Sequence, residues 1–421
     1  MLKQISEIFS AYKSSEEGSK EAVLKGKNHV QTKRSNLSVV FEIIRQNPRI
    51  SRVSVAQMSG LRNQTITNLV RELIQTGYVL EVGKVQGKRG QPQTLLEVNP
   101  ASCVSIGLQI DQGFISGSLV DLNLETLAEH QVVLDSLEPA YVVCQLSSLV
   151  EMLIQCVPDS RKSMVGVGVA VATLVKDDTE RHLVGAEWES WNKFNLTEQL
   201  SQKLGYPVYL ENDATSAAIG HSFGGGRDRL ENFIYLYIGN GLGAGIITNN
   251  QPYKGAWSNA GEVGRIHWHC SGDVEYIETH LSVQALKTMV NYSGSDLELP
   301  AFIDQNCLRS KACENWVVES AKRLRYVINI LENLFEPESI VVGSRLSGEV
   351  MDRLVDATLP LFPSICERHE RTRKRITLSH HSVSVGAASL PLFGLCHPDR
   401  HDLFECSHQL PPTFKVVDLE E

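Results

Sequence analysis

The sequence predicts an α/β protein in which a winged helix-turn-helix precedes a body of two lobes with a cleft between them. Three observations predict this. Helical and strand-like apolar patterns alternate from about residue 104 to 392, as they do in layered α/β folds. Three short helical stripes, then two strand-like runs joined by a basic, glycine-rich tip, fill residues 33–98. Between Glu211 and Arg265 an Asn-Asp pair follows a short apolar strand, and the alternating glycines of Gly239-Asn240-Gly241-Leu242-Gly243-Ala244-Gly245 separate two apolar runs. Open α/β sheets bind ligands at the carboxyl ends of their strands, and glycines let backbone come close to them.

Taken in order, residues 1–32 form an extension: Ile5, Ile8, Phe9 and Tyr12 stand at helical spacing, and the polar stretch Lys13 to Lys20 reads as a linker. From about Lys33, Leu37, Val40, Phe41 and Ile44 make the first helical stripe, closed by Asn47-Pro48. A second helix spans roughly Ser51 to Ser59 with Val55, Ala56 and Met58 inward, and Gly60 makes the turn. A third runs from Asn63 to Gln75 with Ile66, Leu69, Val70, Leu73 and Ile74 inward, and Gly77 ends it. Its free face carries Asn63, Gln64, Thr65, Thr67, Asn68 and Arg71, with Arg62 just before it and Arg52 at the start of the second helix. Asn and Gln amides suit adenine edges, Arg suits guanine or phosphate, and Thr suits either. A helical bundle with a polar outer face would satisfy these helices alone. What decides for a DNA reader is the next segment, where Tyr78–Gly83 and Gln93–Val98 flank a tip bearing Lys84, Lys88 and Arg89. Such a wing neutralises phosphates or enters a minor groove.

The charge distribution agrees. The chain of 421 residues carries a net charge of −9. Lys27 to Val98 holds 11 Lys+Arg against 4 Asp+Glu, or +7, leaving 29 against 45, or −16, for the rest. A basic module on an acidic body is the footprint of a nucleic-acid reader joined to something else. Apolar content of 42% and charged content of 21% are those of an ordinary folded chain of two to three domains. No apolar run approaches the roughly 20 residues that span a bilayer, and the first residues lack a signal core; a cytoplasmic protein without membrane insertion is expected. The nine cysteines contain no Cys-x-Cys or Cys-x-x-Cys, so buried, reduced thiols are expected rather than disulfides or a metal cluster.

The body, residues 99–395, opens with strand, turn and strand over Val104 to Val120. A helix near Tyr141–Ile154, a strand at Met164–Ala172, a helix at Leu196–Leu204 and a strand into Glu211 follow. The second half repeats the scheme with strands Phe233–Ile238 and Gly243–Thr248, a long helix near Trp316–Phe335 and a buried strand at Ile340–Ser344. Residues 396–421, rich in His, Pro and acids, read as a loose tail.

Several motifs in the body belong together: Glu211-Asn212-Asp213-Ala214, Gly241-Leu242-Gly243-Ala244-Gly245-Ile246, Ala260-Gly261-Glu262-Val263-Gly264-Arg265, Glu278 with Ser282, Pro337 to Gly343, and Gly386-Ala387-Ala388. On these the chain resembles the ROK family of repressors and sugar kinases, most closely its winged-helix repressor branch, over roughly 33–392. The resemblance implies an actin-like, two-lobed fold of the sugar-kinase type. It implies that Asn212, Asp213, Glu262 and Glu278 hydrogen-bond sugar hydroxyls, with Asp213 at the position of the kinase base. Carboxylates at strand ends also cap turns, the plainer role for Asp213 and Glu278.

The chain departs from the family pattern in four places. Where the kinase phosphate loop has Asp-x-Gly-Gly-Thr, this chain has Gln109-Ile110-Asp111-Gln112-Gly113, and Asn240 stands where kinases usually have Thr. Phosphoryl transfer is therefore not expected. The family's zinc run is shortened to Ile266 through Ile277, with His267, His269 and Cys270 too close together to surround a metal tetrahedrally. Arg265 replaces a sugar-binding His; its planar fork suits a phosphate or carboxylate, or simply a salt bridge to Glu262. The wing has Gly90-Gln91-Pro92 where the branch often has Gly-Arg-Pro, so Arg89 supplies the groove cation.

The reading is a DNA-binding transcriptional regulator, a repressor of carbohydrate uptake and metabolism genes, controlled through a degenerate sugar-kinase-like sensor. It is not expected to be an enzyme, nor to use a cofactor, ATP or zinc. Expected partners are a double-stranded DNA operator, a sugar or sugar-phosphate effector, and further copies of itself in a homodimer or homotetramer, since two-fold operators pair half-sites. Two alternatives stand beside it: a sugar kinase with an appended DNA-binding module, and a regulator controlled by a docked protein partner.

Overall fold

The computed structural model describes residues 29–86, 92–157, 160–177, 180–183, 191, 194–225, 229–270, 273–367, 374–397 and 404–407. The expected helix at Ile5–Tyr12 and the wing-tip residues Lys88 and Arg89 lie outside these residues.

The first module is built from α1 (His29–Gln46), β1 (Ile50–Ser51), α2 (Arg52–Ser59), α3 (Asn63–Gln75), β2 (Val79–Val85) and β3 (Gln93–Val98). Ser51 caps α2 by accepting from Ser54 N, and Gly60, at φ 69°, ends it in the left-handed region that a side chain would disfavour. Helix α1 starts at His29 rather than near Lys33. Met58, expected inward, is 57% exposed, because the short α2 buries only Val55 and Ala56. Strand β3 pairs antiparallel with both β1 and β2, with a bulge between Glu81 and Gly83.

No linker separates this module from the body. Asn99, at the expected boundary, donates from Nδ2 to Gly77 O at 2.9 Å. Leu37, Phe41, Ile44, Val70 and Leu73 form one continuous core with Val120, Leu122, Phe223, Leu392 and Leu395 of the body.

The body contains β4 (Val104–Asp111), β5 (Phe114–Asp121), β6 (Thr126–Val133), α4 (Pro139–Cys156), β7 (Met164–Val171), β8 (Thr173–Asp177), β9 (Glu180–Leu183), α5 (Leu196–Leu204), β10 (Val208–Glu211) and α6 (Asp213–Gly224). It continues with β11 (Phe233–Ile238), β12 (Leu242–Thr248), β13 (Gln251–Pro252), β14 (His267–Cys270), β15 (Asp273–Tyr276), α7 (Val283–Met289), α8 (Lys311–Phe335), β16 (Ser339–Ser344), α9 (Gly348–Thr358), β17 (Ile376–Leu378), α10 (Val383–Cys396) and β18 (Glu405–Cys406). One sheet has the order β18-β10-β7-β4-β5-β6 and the other β13-β12-β11-β16-β17. Each is an antiparallel meander continued by parallel strands, β4, β7 and β10 in one and β11, β16 and β17 in the other. The same topology twice is the two-lobed, actin-like arrangement. Helices α6 and α10 pack on each other and fill the space between the lobes, and every residue of α10 is buried.

Three expectations change. Helix α4 is, at 18 residues and mean hydropathy 1.2, long and apolar enough to cross a membrane, yet Val142, Leu146, Leu149, Val150 and Leu153 are buried in the core of the first lobe. The tail expected to be loose from 396 on returns to the sheet: Glu405–Cys406 pair with β10, and Phe404 is buried against Tyr209 and Phe393. None of the eight cysteines whose side chains are described forms a disulfide, but Cys144 and Cys156 are exposed on α4 rather than buried.

Candidate functional site

Helix α3 buries Ile66, Leu69, Val70 and Leu73 and presents Arg62, Asn63, Gln64, Asn68 and Arg71 exposed on the opposite side. Residues three and four apart share a helix face, so these side chains form one stripe. Thr65 and Thr67 are half-buried, and Thr67 Oγ1 is committed to Asn63 O at 2.8 Å. Arg52 is held by Glu81 of β2 at 2.7 Å, across the base of the wing, and Lys84 is exposed on β2.

The cleft holds a pocket of about 300 Å³ lined by Asn212, Asp213, Glu262, Arg265 and Glu278, together with Gln112, Tyr237, Asn240 and Gln284. All five expected ligand residues therefore meet, although they come from three separate segments. Asn212 caps α6, its Oδ1 accepting from Ala214 N at 3.0 Å and Thr215 N at 3.4 Å. That oxygen is committed to the helix, so the donors of Nδ2 are what Asn212 has to offer a ligand. Asp213 accepts from Ala214 N at 2.8 Å. Burial, with Asp111 and Glu262 nearby, pushes its carboxyl up to about 7. Burial also raises Glu262, opposed by Arg265, which stands 3.4 Å from it. The salt bridge, the plainer of the two roles weighed for Arg265, is formed.

Glu278 accepts from Leu242 N at 3.3 Å. It can reach that position because residue 264 is glycine, where a Cβ would lie 2.6 Å from Glu278 Oε2. Similarly a Cβ at Gly245 would lie 2.4 Å from Ala214 O. The glycine run is thus largely strand β12 making room for α6, more than a loop closing on a ligand.

Sequence reasoning missed the supports. Glu211, buried before Asn212, accepts from Asn212 N at 2.8 Å and pairs with Lys254. At the mouth of the cleft Asn240 Nδ2 donates to Asp111 Oδ1 at 2.8 Å, and Arg345 Nη2 donates to Asn240 Oδ1 at 2.9 Å and Asp296 Oδ2 at 2.8 Å. Gln109 Nε2 donates to Tyr237 Oη at 3.2 Å. The bonds of Asn240 to Asp111 and of Gln109 to Tyr237 join β4 of one lobe to β11 and its loop in the other. Burial raises Asp111 against the pull of Arg345. The one sequence signal was that Gln109, Asp111 and Asn240 all depart from the kinase pattern together.

Around the shortened metal run, His267 stacks on Tyr276 with ring centroids 5.2 Å apart, His280 pairs with Glu275 at 2.8 Å, and among the described residues no group of three His, Cys, Asp or Glu is placed to hold a metal ion.

With this geometry in hand, comparison with known proteins is direct. Residues 105–391 match the ROK family, and residues 40–79 match a winged helix-turn-helix DNA-binding domain. The chain is 29% identical over 341 residues to the xylose repressor of Caldicellulosiruptor bescii, covering 76% of this chain and 85% of that one. The crystal structure of a ROK family transcriptional regulator, a homolog of the E. coli MLC protein, aligns with a TM-score of 0.60 at 20% identity, over 88% of this chain and 98% of that one. A ROK family glucokinase from Streptomyces griseus, solved with glucose and AMPPNP, aligns with a TM-score of 0.54 at 22% identity, over 68% of this chain and 98% of that one. This last likeness corrects the expectation that the chain is no enzyme. The body has the fold of that sugar kinase, and Asp213 stands in its pocket. The chain belongs to the ROK family, in the branch that carries an N-terminal winged helix-turn-helix.

Proposed function

We infer that this protein is a DNA-binding transcriptional regulator of carbohydrate genes, acting in the cytoplasm as a repressor whose operator contact is set by a sugar in the cleft. The observation that carries this reading is the coexistence of an exposed polar stripe on α3 with a pocket of converging hydroxyl-binding groups in one body. Arg62, Asn63, Gln64, Thr65, Thr67, Asn68 and Arg71 would read the major groove, with Arg52 and the wing residues Lys84, Lys88 and Arg89 on the backbone or minor groove. A two-fold operator would be read by a homodimer or a tetramer of it.

In the pocket, Asn212, Asp213, Glu262 and Glu278 would bind hydroxyls. Three of these are carboxylates, and the single guanidinium is already turned to Glu262. An acceptor-rich pocket favours a neutral polyol over a sugar phosphate, because a phosphate brought beside three carboxylates is repelled. The likeness to a xylose repressor supports a pentose as the first candidate. The test has two arms: genome-wide mapping of bound sites, then calorimetry with D-xylose, D-glucose, N-acetylglucosamine and their phosphates. Enrichment at carbohydrate genes and preference for a neutral sugar are expected. No enriched sites would end the regulator reading, and equal affinity for both kinds of sugar would end the neutral-ligand reading.

A further inference from the structure

Helix α6 runs from the pocket to the module that carries the DNA-reading face. Its cap Asn212 and first residue Asp213 line the pocket, while Phe223 in its last turn meets α1 of the DNA module. There Arg45 Nη1 donates to Phe223 O at 2.7 Å, at the carbonyl end of the helix, where a cation is favoured. Its Nε and Nη2 donate to the two oxygens of Glu42 at 2.7 and 2.8 Å, and its guanidinium carbon lies 3.7 Å from the Phe223 ring centroid. The Arg45 and Glu42 side chains are only 7% and 11% exposed. Burial would raise the Glu42 carboxyl, but Arg45 beside it holds it down at about 2, so the pair is ionised. Arg229 approaches the same carboxylate to 3.6 Å.

The helix between these ends is stiff. It has 12 residues and no proline, a length of about 18 Å. A Cβ on Gly220 would lie 2.6 Å from Gly386 Cα, so the backbones of α6 and α10 are in contact. Leu392, Leu395 and Cys396 of α10 in turn share the core of the DNA module. Interfaces packed this closely move as units or jump between arrangements; they do not bend.

We propose that Arg45 is a positioning residue for DNA binding: it grips the far end of α6 and so makes the placement of the DNA-reading module depend on what occupies the pocket at the near end. This rests on the sugar-sensing reading above. A ligand bonded to Asn212 and Asp213 draws the near end of α6 toward itself, and the strut passes the displacement to α1 through Phe223 O. Only a ligand that prefers one placement of α6 shifts DNA affinity. The fork of Arg45 makes three directed bonds at once, which a lysine cannot reproduce.

The test uses the full chain, a duplex recovered by in vitro selection with the wild-type protein, and D-xylose, D-glucose and N-acetylglucosamine as probes. Arg45→Lys is expected to keep its affinity for the sugar alone, and its response is read against its own affinity for the duplex without sugar. The sugar-dependent change in DNA affinity should fall from the usual allosteric range of about 5- to 150-fold to about twofold or less. A merely structural role would lower affinity or melting temperature without cutting the response selectively. An undiminished response in Arg45→Lys overturns the proposal. Should that variant fail to fold, Phe223→Leu removes the ring contact but keeps the carbonyl, and a partial loss of response is expected. A ligand-free arm separates this proposal from the sugar reading: Asn212→Ala and Arg45→Lys should act non-additively on DNA affinity, and strict additivity overturns the strut. If no sugar changes wild-type DNA affinity while the cycle is non-additive, the sugar reading falls and the strut stands.

Discussion

The face of α3 and the cleft pocket hold their polar groups in opposite ways. On α3, Gln64, Asn68 and Arg71 are exposed, positioned by a helix whose other side is buried. In the pocket, Asn212 caps a helix, Glu278 holds a loop and Arg265 leans on Glu262, so each group already serves the fold. The difference is one of cost: an exposed face can change its contacts freely, whereas a pocket built from structural bonds gives a ligand leverage over the elements those bonds hold. A surface reads; a cleft built from structural bonds can switch.

Both regions rest on one shared core, and a substitution there has the largest effect. Leu73→Ala, at a fully buried position of the core that joins module to body, should cost about 2–5 kcal/mol by denaturant unfolding. Unfolding should remain a single transition; two separate transitions would mean that the module and body are independent units. Next come the readers. Gln64→Ala and Asn68→Ala should each lose about 1–3 kcal/mol of operator affinity while sugar affinity stays unchanged.

The pocket's own signature is pH. Asp213 sits at about 7, and a sugar that donates an O–H to it needs the ionised form. Sugar affinity measured by calorimetry should therefore rise about tenfold from pH 6 to pH 8, and Asp213→Asn should flatten the profile. Ligand-free stability has the opposite sign. A carboxyl raised in the folded state stabilises it fully below its unfolded value of about 4, and that contribution is lost as pH climbs to about 7. Smallest is the wing: Lys84→Ala should reduce the slope of log affinity against log salt by about 0.9 while weakening all sequences alike. A sequence-selective loss would move Lys84 from the backbone to the base-reading set.

The helix-turn-helix was readable because its determinants are local: apolar residues three and four apart on α3, glycines at both turns and a basic hairpin tip. The pocket residues were readable from family-like motifs, and the lobes repeat as expected. What was not readable was why the motifs keep their form. Gly245 and Gly264 answer to Ala214 O and Glu278, partners distant in the chain. Lys254, Tyr237 and Arg345 carry no local pattern that marks them as supports. The return of Phe404 to the first lobe was hidden because a polar, proline-rich tail has the composition of a loose one.

By itself, the sequence determined the winged helix-turn-helix and the longer helices and strands of the body, which face of α3 is polar, and which three segments carry carboxylates and amides suited to a sugar. Periodicity and turn chemistry act over a few residues, so they survive in one dimension. The tertiary structure alone decided that β4 and β11 are joined through Asp111 and Asn240 and that module and body share one core. It also decided that the helix starting at the pocket ends beneath Arg45. Those relations arise from burial and from pairing across 100 residues and more, where the identity of each partner is set by the fold and by nothing adjacent in the chain.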